Sequence, residues 1–142
     1  MESWVNEAVS EGAELLCGGE RLSQTTYAPT VLYKPSFESK VSTSEIFGPV
    51  LCVYPYKNIE EAFEKANDTK YAFQASIFTN RLDLAYKAVE ELEGLTLMIN
   101  DHTAFRVDWM PFGGYKESGL GVGGIGHSME DLMVEKMFVW NA

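Results

Sequence analysis

"VLCVYPYKNIEEAFEKANDTKYAFQASIFT", residues 50–79, decides the fold. Its opening run, VLCVYPY, is apolar and aromatic and reads as a buried strand. Asn58 then offers a side-chain oxygen at a helix N-cap, and Glu61 stands three residues on, the spacing of a capping box. The predicted helix, NIEEAFEKANDT, gives way to a second predicted strand, FQASIFT. A strand, a helix and a strand thus follow one another within thirty residues.

The same alternation continues on both sides. Downstream, LDLAYKAVEEL reads as a helix and LTLMIN as a strand. Upstream, Trp4, Val5, Ala8 and Val9 fall at helical spacing, with Gly12 as the stop. AELLCGG reads as a short strand closed by glycines, and YAPTVLYKP as an extended segment between Pro29 and Pro35. Alternating strands and helices define an α/β class with a largely parallel sheet and flanking helices. Residues 101–126, DHTAFRVDWMPFGGYKESGLGVGGIG, show no periodicity, and a loop of that length signals function or an external contact. A short helix, HSMEDLM, and an apolar final strand, EKMFVWN, close the chain. That strand would be an aggregation hazard unless another chain pairs with it.

Composition narrows the function classes. With 142 residues, 46% hydrophobic and 13% aromatic, the chain is globular and long enough for one domain with a real core. Eleven Lys and Arg against 21 Asp and Glu leave a formal charge of −10. That balance argues against a sequence-independent grip on nucleic acid or on an anionic membrane surface. No stretch reaches the roughly 18 uninterrupted apolar residues of a membrane span. The acidic, amphipathic start, MESWVNEAVSEG, reads as a helix and not as a signal peptide. Cys17 and Cys52 lack CxxC spacing and read as buried free thiols of a reducing cytoplasm, with one disulfide as the alternative.

Most candidate sites reduce to structural readings. Gly119, Gly121 and Gly124 satisfy G-x-G-x-x-G, but no suitable strand precedes them and no acid follows at the right distance. GVGGIGHS approaches a phosphate-binding loop, yet His127 stands where a lysine is required. His102 and His127 lack metal-ligand spacing. Glu60 and Glu61 sit in a helix's first turn, where negative charge complements the dipole.

SEIFGPV, residues 44–50, resists such a reading. Glu45 and Phe47 sit at a turn stiffened by Gly48 and Pro49, ahead of an apolar run. A carboxylate can accept hydrogen bonds from two vicinal ribose hydroxyls, and an aromatic ring can pack beside a nicotinamide edge. A helix cap and a core aromatic are the alternatives.

The segments EIFGPV, FTNRLDLA, IND and MPFGGYKESGLG, in this order, resemble the NAD(P)-dependent aldehyde dehydrogenase superfamily. E-x-F-G-P-V together with P-F-G-G-x-K-x-S-G is specific, and the resemblance runs along essentially the whole chain. It implies a partial catalytic domain over residues 1–134 and an oligomerisation strand over 135–142. In that family a cysteine thiolate attacks an aldehyde, hydride passes from the thiohemiacetal to NAD(P)+, and an activated water hydrolyses the thioester. The resemblance implies that Glu45 binds the nicotinamide ribose and that Phe47 lies beside the nicotinamide. It places Asn100 in a strand-end motif below the pocket and Phe105 and Phe112 along the substrate tunnel. The loop from His102 to Asp108 would set aldehyde preference, with Arg106 a candidate for a polar or anionic substrate or else a surface arginine.

The same resemblance puts the nucleophilic cysteine, the glutamate base, the oxyanion-hole asparagine and the nucleotide-binding domain ahead of this segment. Cys17 matches a strand-end position, not the nucleophile. The chain alone is therefore expected to be inactive, to self-associate as a dimer or tetramer through its last strand, and to belong in the cytoplasm. Departures from the family pattern are Val122 and Gly123 where Arg and Glu are common, and Ala72 and Leu95 where glycine is frequent. Leu95 would be strained if the backbone there required positive φ. The competing reading is a non-catalytic α/β interaction module that assembles through its terminal strand.

Overall fold

The computed structural model describes all 142 residues, which divide into two units, Met1–Glu61 and Ala62–Ala142. In the first unit, α1 (Glu2–Ser10) buries Val5 and Ala8 on one face. Gly12, at φ +109°, ends the helical path. The chain then enters β1 (Glu14–Cys17), antiparallel to β2 (Thr30–Tyr33), with a register irregularity between Leu15 and Cys17. Gly18 follows at φ +72°, and a Cβ there would stand 2.1 Å from the Pro29 carbonyl oxygen, so no side chain fits.

A short helix, α2 (Lys40–Thr43), carries the chain across to β3 (Val50–Val53), which pairs in parallel with β2. Thr30 and Leu32 point into the core from β2, opposite Val50 and Cys52 on β3. Val5, Ala8, Ala13, Tyr27, Leu32 and Val41 form that core, with Trp4, Ile46, Val50 and Cys52 packed against it. The expectation of a fully buried β3 is corrected, because Leu51 is 60% exposed and Val53 37%. β3 is an edge strand of the three-stranded sheet, and only its inner face is covered. Cys17 is likewise exposed rather than buried, because β1 is exposed along its length. Cys52 is half-buried, both thiols are free, and the disulfide alternative is not formed. Burial pushes the Cys52 thiol up and keeps it neutral.

The helix α3 (Ile59–Asn67) begins in the last residues of the first unit and continues into the second, where it places Phe63 in the interior. The predicted Asn58 cap is formed, Asn58 Oδ1 accepting the Glu61 N–H at 2.9 Å, but Glu61 Oε2 accepts the N–H of Lys57 at 3.1 Å, one residue before the N-cap, rather than that of Asn58. The chain continues through β4 (Tyr71–Ala72), β5 (Gln74–Ile77), α4 (Leu82–Glu91) and β6 (Thr96–Ile99). β5 and β6 pair in parallel over four residues, with α4 as the crossover. Asn67 ties the two helix ends together, donating from Nδ2 to the Glu91 carbonyl at 2.7 Å and accepting the Glu93 N–H at 2.9 Å. Leu95 adopts no positive φ, so the feared strain is absent.

The loop without periodicity carries short strands that its sequence did not show. It contains β7 (Phe112–Gly113), β8 (Tyr115–Lys116) and β9 (Val122–Gly123), each two residues long, before α5 (Ile125–Asp131). β7 pairs with β9 and β8 with β4, both antiparallel. Two-residue strands carry no readable alternation, which is why periodicity missed them. The α/β class holds, but the strands form four short sheets rather than one, and only β2–β3 and β5–β6 are parallel. Residues 135–142 are not a strand within this chain. A strand needs a ladder partner, and no segment of this chain offers one to Met137, Phe138, Val139 and Trp140, which stay 77–88% exposed.

Candidate functional site

Two surfaces gather the residues singled out by sequence, one in each unit. In the first, Ser44 ends α2 by turning extended, at φ −131° and ψ 152°. Ile46 then packs against the core while its neighbours face outward. Glu45 is exposed and has no hydrogen-bond or ionic partner. Phe47 stands at φ +55° with 89% of its surface exposed. A left-handed backbone costs a residue with a Cβ roughly 1–2 kcal/mol, and no packing of the ring in this unit offsets it. The turn is held from below, since the Pro49 carbonyl accepts the Thr30 N–H at 2.8 Å and the Gly48 carbonyl accepts the Val50 N–H at 2.8 Å. A rigid turn thus presents an aromatic face and a free carboxylate to solvent.

Phe47, Gly48 and Pro49 also line a cavity of about 410 Å³, with Met1, Arg21 and Tyr27 on its other walls. The Tyr27 side chain is buried, and its hydroxyl has no hydrogen-bond partner. Burial raises that phenol above its ordinary range, and the Glu2 carboxylate adds to the effect. Arg21 opposes it while pairing with Glu2 at 2.9 Å.

In the second unit, Asn100 sits at the end of β6 at φ +57°. Its backbone N–H donates to the Ile77 carbonyl at 2.8 Å. Its side-chain amide clasps Thr79, donating to the carbonyl at 2.8 Å and accepting the N–H at 2.7 Å. Asparagine tolerates the left-handed region, and the clasp fixes where the following loop departs. That loop is folded locally: Asp101 Oδ1 accepts the His102 N–H, and His102 Nδ1 accepts the Ala104 N–H at 3.1 Å.

Phe105 and Phe112 are 44% and 43% exposed. The Phe112 ring meets Phe73 edge to face at 5.3 Å, and the Arg106 guanidinium lies over it, 4.5 Å from the centroid. Gly113 is required beside it, because a Cβ would come within 2.6 Å of the Gly121 carbonyl oxygen. Glu45 and Phe47 are therefore neighbours in one unit, and Arg106 and Phe112 meet in the other.

Sequence reasoning missed Lys116. At φ +54°, its ammonium donates to the carbonyls of Asn67 and Thr69 at 2.8 and 2.9 Å and pairs with Glu93. It anchors the glycine-rich segment to the end of α3. Partners nearly fifty residues away leave no local signal. The G-x-G-x-x-G match is not a dinucleotide turn, because a two-residue antiparallel strand precedes it. No group of His, Cys, Asp and Glu could hold a metal ion, and no helix is long and apolar enough to cross a membrane.

These features coincide with one family. The profile of the Aldehyde dehydrogenase family matches residues 1–138, and the chain belongs to that family. A 3-sulfolactaldehyde dehydrogenase of Priestia aryabhattai is 43% identical over 99% of this chain, which spans 29% of that protein. Aldehyde dehydrogenase 21 from Physcomitrella patens, in complex with the reaction product succinate, superposes with a TM-score of 0.88 at 41% identity. This match covers 92% of the present chain and 27% of the other. Glyceraldehyde-3-phosphate dehydrogenase GapN from Methanocaldococcus jannaschii, complexed with NADP, gives 0.85 at 39% identity over 92% of this chain and 28% of its own. The chain thus spans less than a third of the length of the relatives it matches.

Proposed function

We propose that residues 1–134 supply part of the catalytic domain of an NAD(P)-dependent aldehyde dehydrogenase that oxidises an aldehyde to a carboxylic acid. The observation that carries this reading is the turn at 45–49, where Phe47 is held in the left-handed region with 89% of its surface exposed beside a carboxylate without a partner. Strain of that kind persists where function uses it. The residues fit the cofactor: Glu45 would accept the nicotinamide-ribose hydroxyls, and Phe47 would bear on the nicotinamide ring. When bound, NAD(P)+ supplies the hydride acceptor for the oxidation. Phe105 and Phe112 would give the aldehyde an apolar path, and the Asn100 clasp would keep their loop in place.

The nucleophile lies outside this chain in this proposal, so the isolated 142 residues should show no aldehyde-dependent reduction of NAD(P)+. The position of Cys17 and the neutral thiol of Cys52 support it. Turnover by the purified chain that Cys17→Ser or Cys52→Ser abolishes would overturn it. A cytoplasmic location belongs to the same proposal and is supported by the two free thiols.

Residues 135–142 form the oligomerisation strand of this reading. Four consecutive apolar side chains with no ladder partner in the chain support pairing between copies, as a dimer or tetramer. Removing them should lower the oligomeric order seen by light scattering across a concentration series. A monodisperse monomer before truncation contradicts the assignment.

A further inference from the structure

Four non-glycine residues hold a left-handed backbone, and Lys116, at φ +54°, is one of them. A turn alone would be served better by glycine, which meets no Cβ penalty there. The lysine side chain supplies what glycine cannot. Its ammonium donates at 2.8 Å to the carbonyl of Asn67, the last residue of α3, and at 2.9 Å to that of Thr69, and it pairs with Glu93 beyond α4. The last carbonyls of a helix have no partner within it, and a cation there complements the dipole. The residues after Lys116 are tied to the same stretch. The Lys70 carbonyl accepts the Glu117 N–H at 2.9 Å, and Ser118 Oγ accepts the Ala72 N–H at 3.0 Å. In register, Tyr71 faces Lys116 and Ala72 faces Tyr115. β4 and β8 are two residues each, too short a ladder to keep that register unaided. Phe73 directly follows β4 and Phe112 stands shortly before β8, and their rings meet edge to face at 5.3 Å. A slip of β8 along β4 would part them.

We infer that Lys116 is a positioning residue: by locking β8 onto β4 it sets the Phe112 ring on the aldehyde's path. This rests on the aldehyde dehydrogenase reading above, in which Phe112 lines that path, and adds the residue that places the ring. Lys116 acts through Phe112 and takes no part in the oxidation itself. A lysine kept only for solubility would extend its ammonium into water, whereas this one gathers two carbonyls and a carboxylate from three separate points of the chain.

The test uses the full-length polypeptide that carries this chain, as wild type, Lys116→Met, Lys116→Arg, Phe112→Ala and the double variant Lys116→Met/Phe112→Ala. The Lys116 side chain is 34% exposed, so its replacement opens no buried void. For each protein, kcat and KM are measured for butanal and for NAD+ or NADP+. Lys116→Met should raise the KM for butanal about 10-fold, the effect of one lost hydrogen bond to a charged group, and leave the KM for the cofactor unchanged. Lys116→Arg keeps a cation with several donors and should recover part of the loss. The double variant should be no worse than Phe112→Ala, because both changes act on the same ring. Additive losses, or an unchanged KM for butanal in Lys116→Met, overturn the inference and leave the family reading intact. A 4-fluorophenylalanine at position 112 needs no turnover. Its fluorine resonance should shift in Lys116→Met and return toward the wild-type position in Lys116→Arg. A resonance unmoved in Lys116→Met also overturns the inference. A shifted resonance, with no oxidation of any aldehyde by the wild type, would instead overturn the aldehyde dehydrogenase reading alone.

Discussion

Leu32→Ala should be the most destabilising single change in the first unit, costing about 2–5 kcal/mol. Leu32 is fully buried on the inner face of β2, in the cluster built with Val5, Ala8 and Val41. Truncation loses the transfer free energy of the removed carbons and leaves a void between α1 and the sheet, which the rigid strand pairing with β1 and β3 cannot fill. Leu51→Ala is the matched control, because Leu51 lies on the neighbouring strand but is 60% exposed. Chemical denaturation of the two variants should separate them by more than about 1 kcal/mol. Equal losses would mean that the outer face of the sheet is covered as well as the inner one.

Glu45→Gln should have the largest effect on chemistry. The glutamine keeps the shape of the side chain and removes its charge, so in the proposed site the bonds to two ribose hydroxyls would lose their charge-assisted character. Each such bond is worth about 1.5–3 kcal/mol, which corresponds to about a 10- to 150-fold change in rate if it positions the nicotinamide for hydride transfer. Stability should not change, because Glu45 has no partner within the protein. Single-turnover hydride transfer and steady-state kinetics on the full-length polypeptide read this directly. Unchanged kinetics would remove Glu45 from the site.

Long elements with helical or alternating periods were legible in the sequence. The helices α1, α3 and α4 and the strands β5 and β6 lie where the pattern of apolar residues put them, β2 lies in the extended segment between Pro29 and Pro35, and Asn58 caps the Glu61 N–H as the motif predicts. What escaped was too short to show a period or was set by distant partners. α2 is four residues long and carries too few apolar positions to show a period. β7, β8 and β9 exist only because β9, β4 and β7 are there to receive their hydrogen bonds. The burial of β1 and β3 was overstated because apolar content reports a need for cover, not which face receives it. At the candidate site, Glu45 and Phe47 were readable as chemistry out of place at a turn, and the left-handed backbone of Phe47 sharpens that reading. The stacking of Arg106 on Phe112 and the reach of Lys116 to the end of α3 depend on tertiary placement that no local pattern encodes.

The central claim, that this chain serves aldehyde oxidation as part of a longer polypeptide, is tested most directly by the wild-type arm of the Glu45 experiment. Purified full-length polypeptide, given NAD+ or NADP+ and an aldehyde, should form reduced nicotinamide and the matching carboxylic acid in equal amounts, and neither should form when the aldehyde is left out. Binding of the oxidised cofactor without any aldehyde-dependent reduction, across anionic and neutral aldehydes alike, would contradict the account.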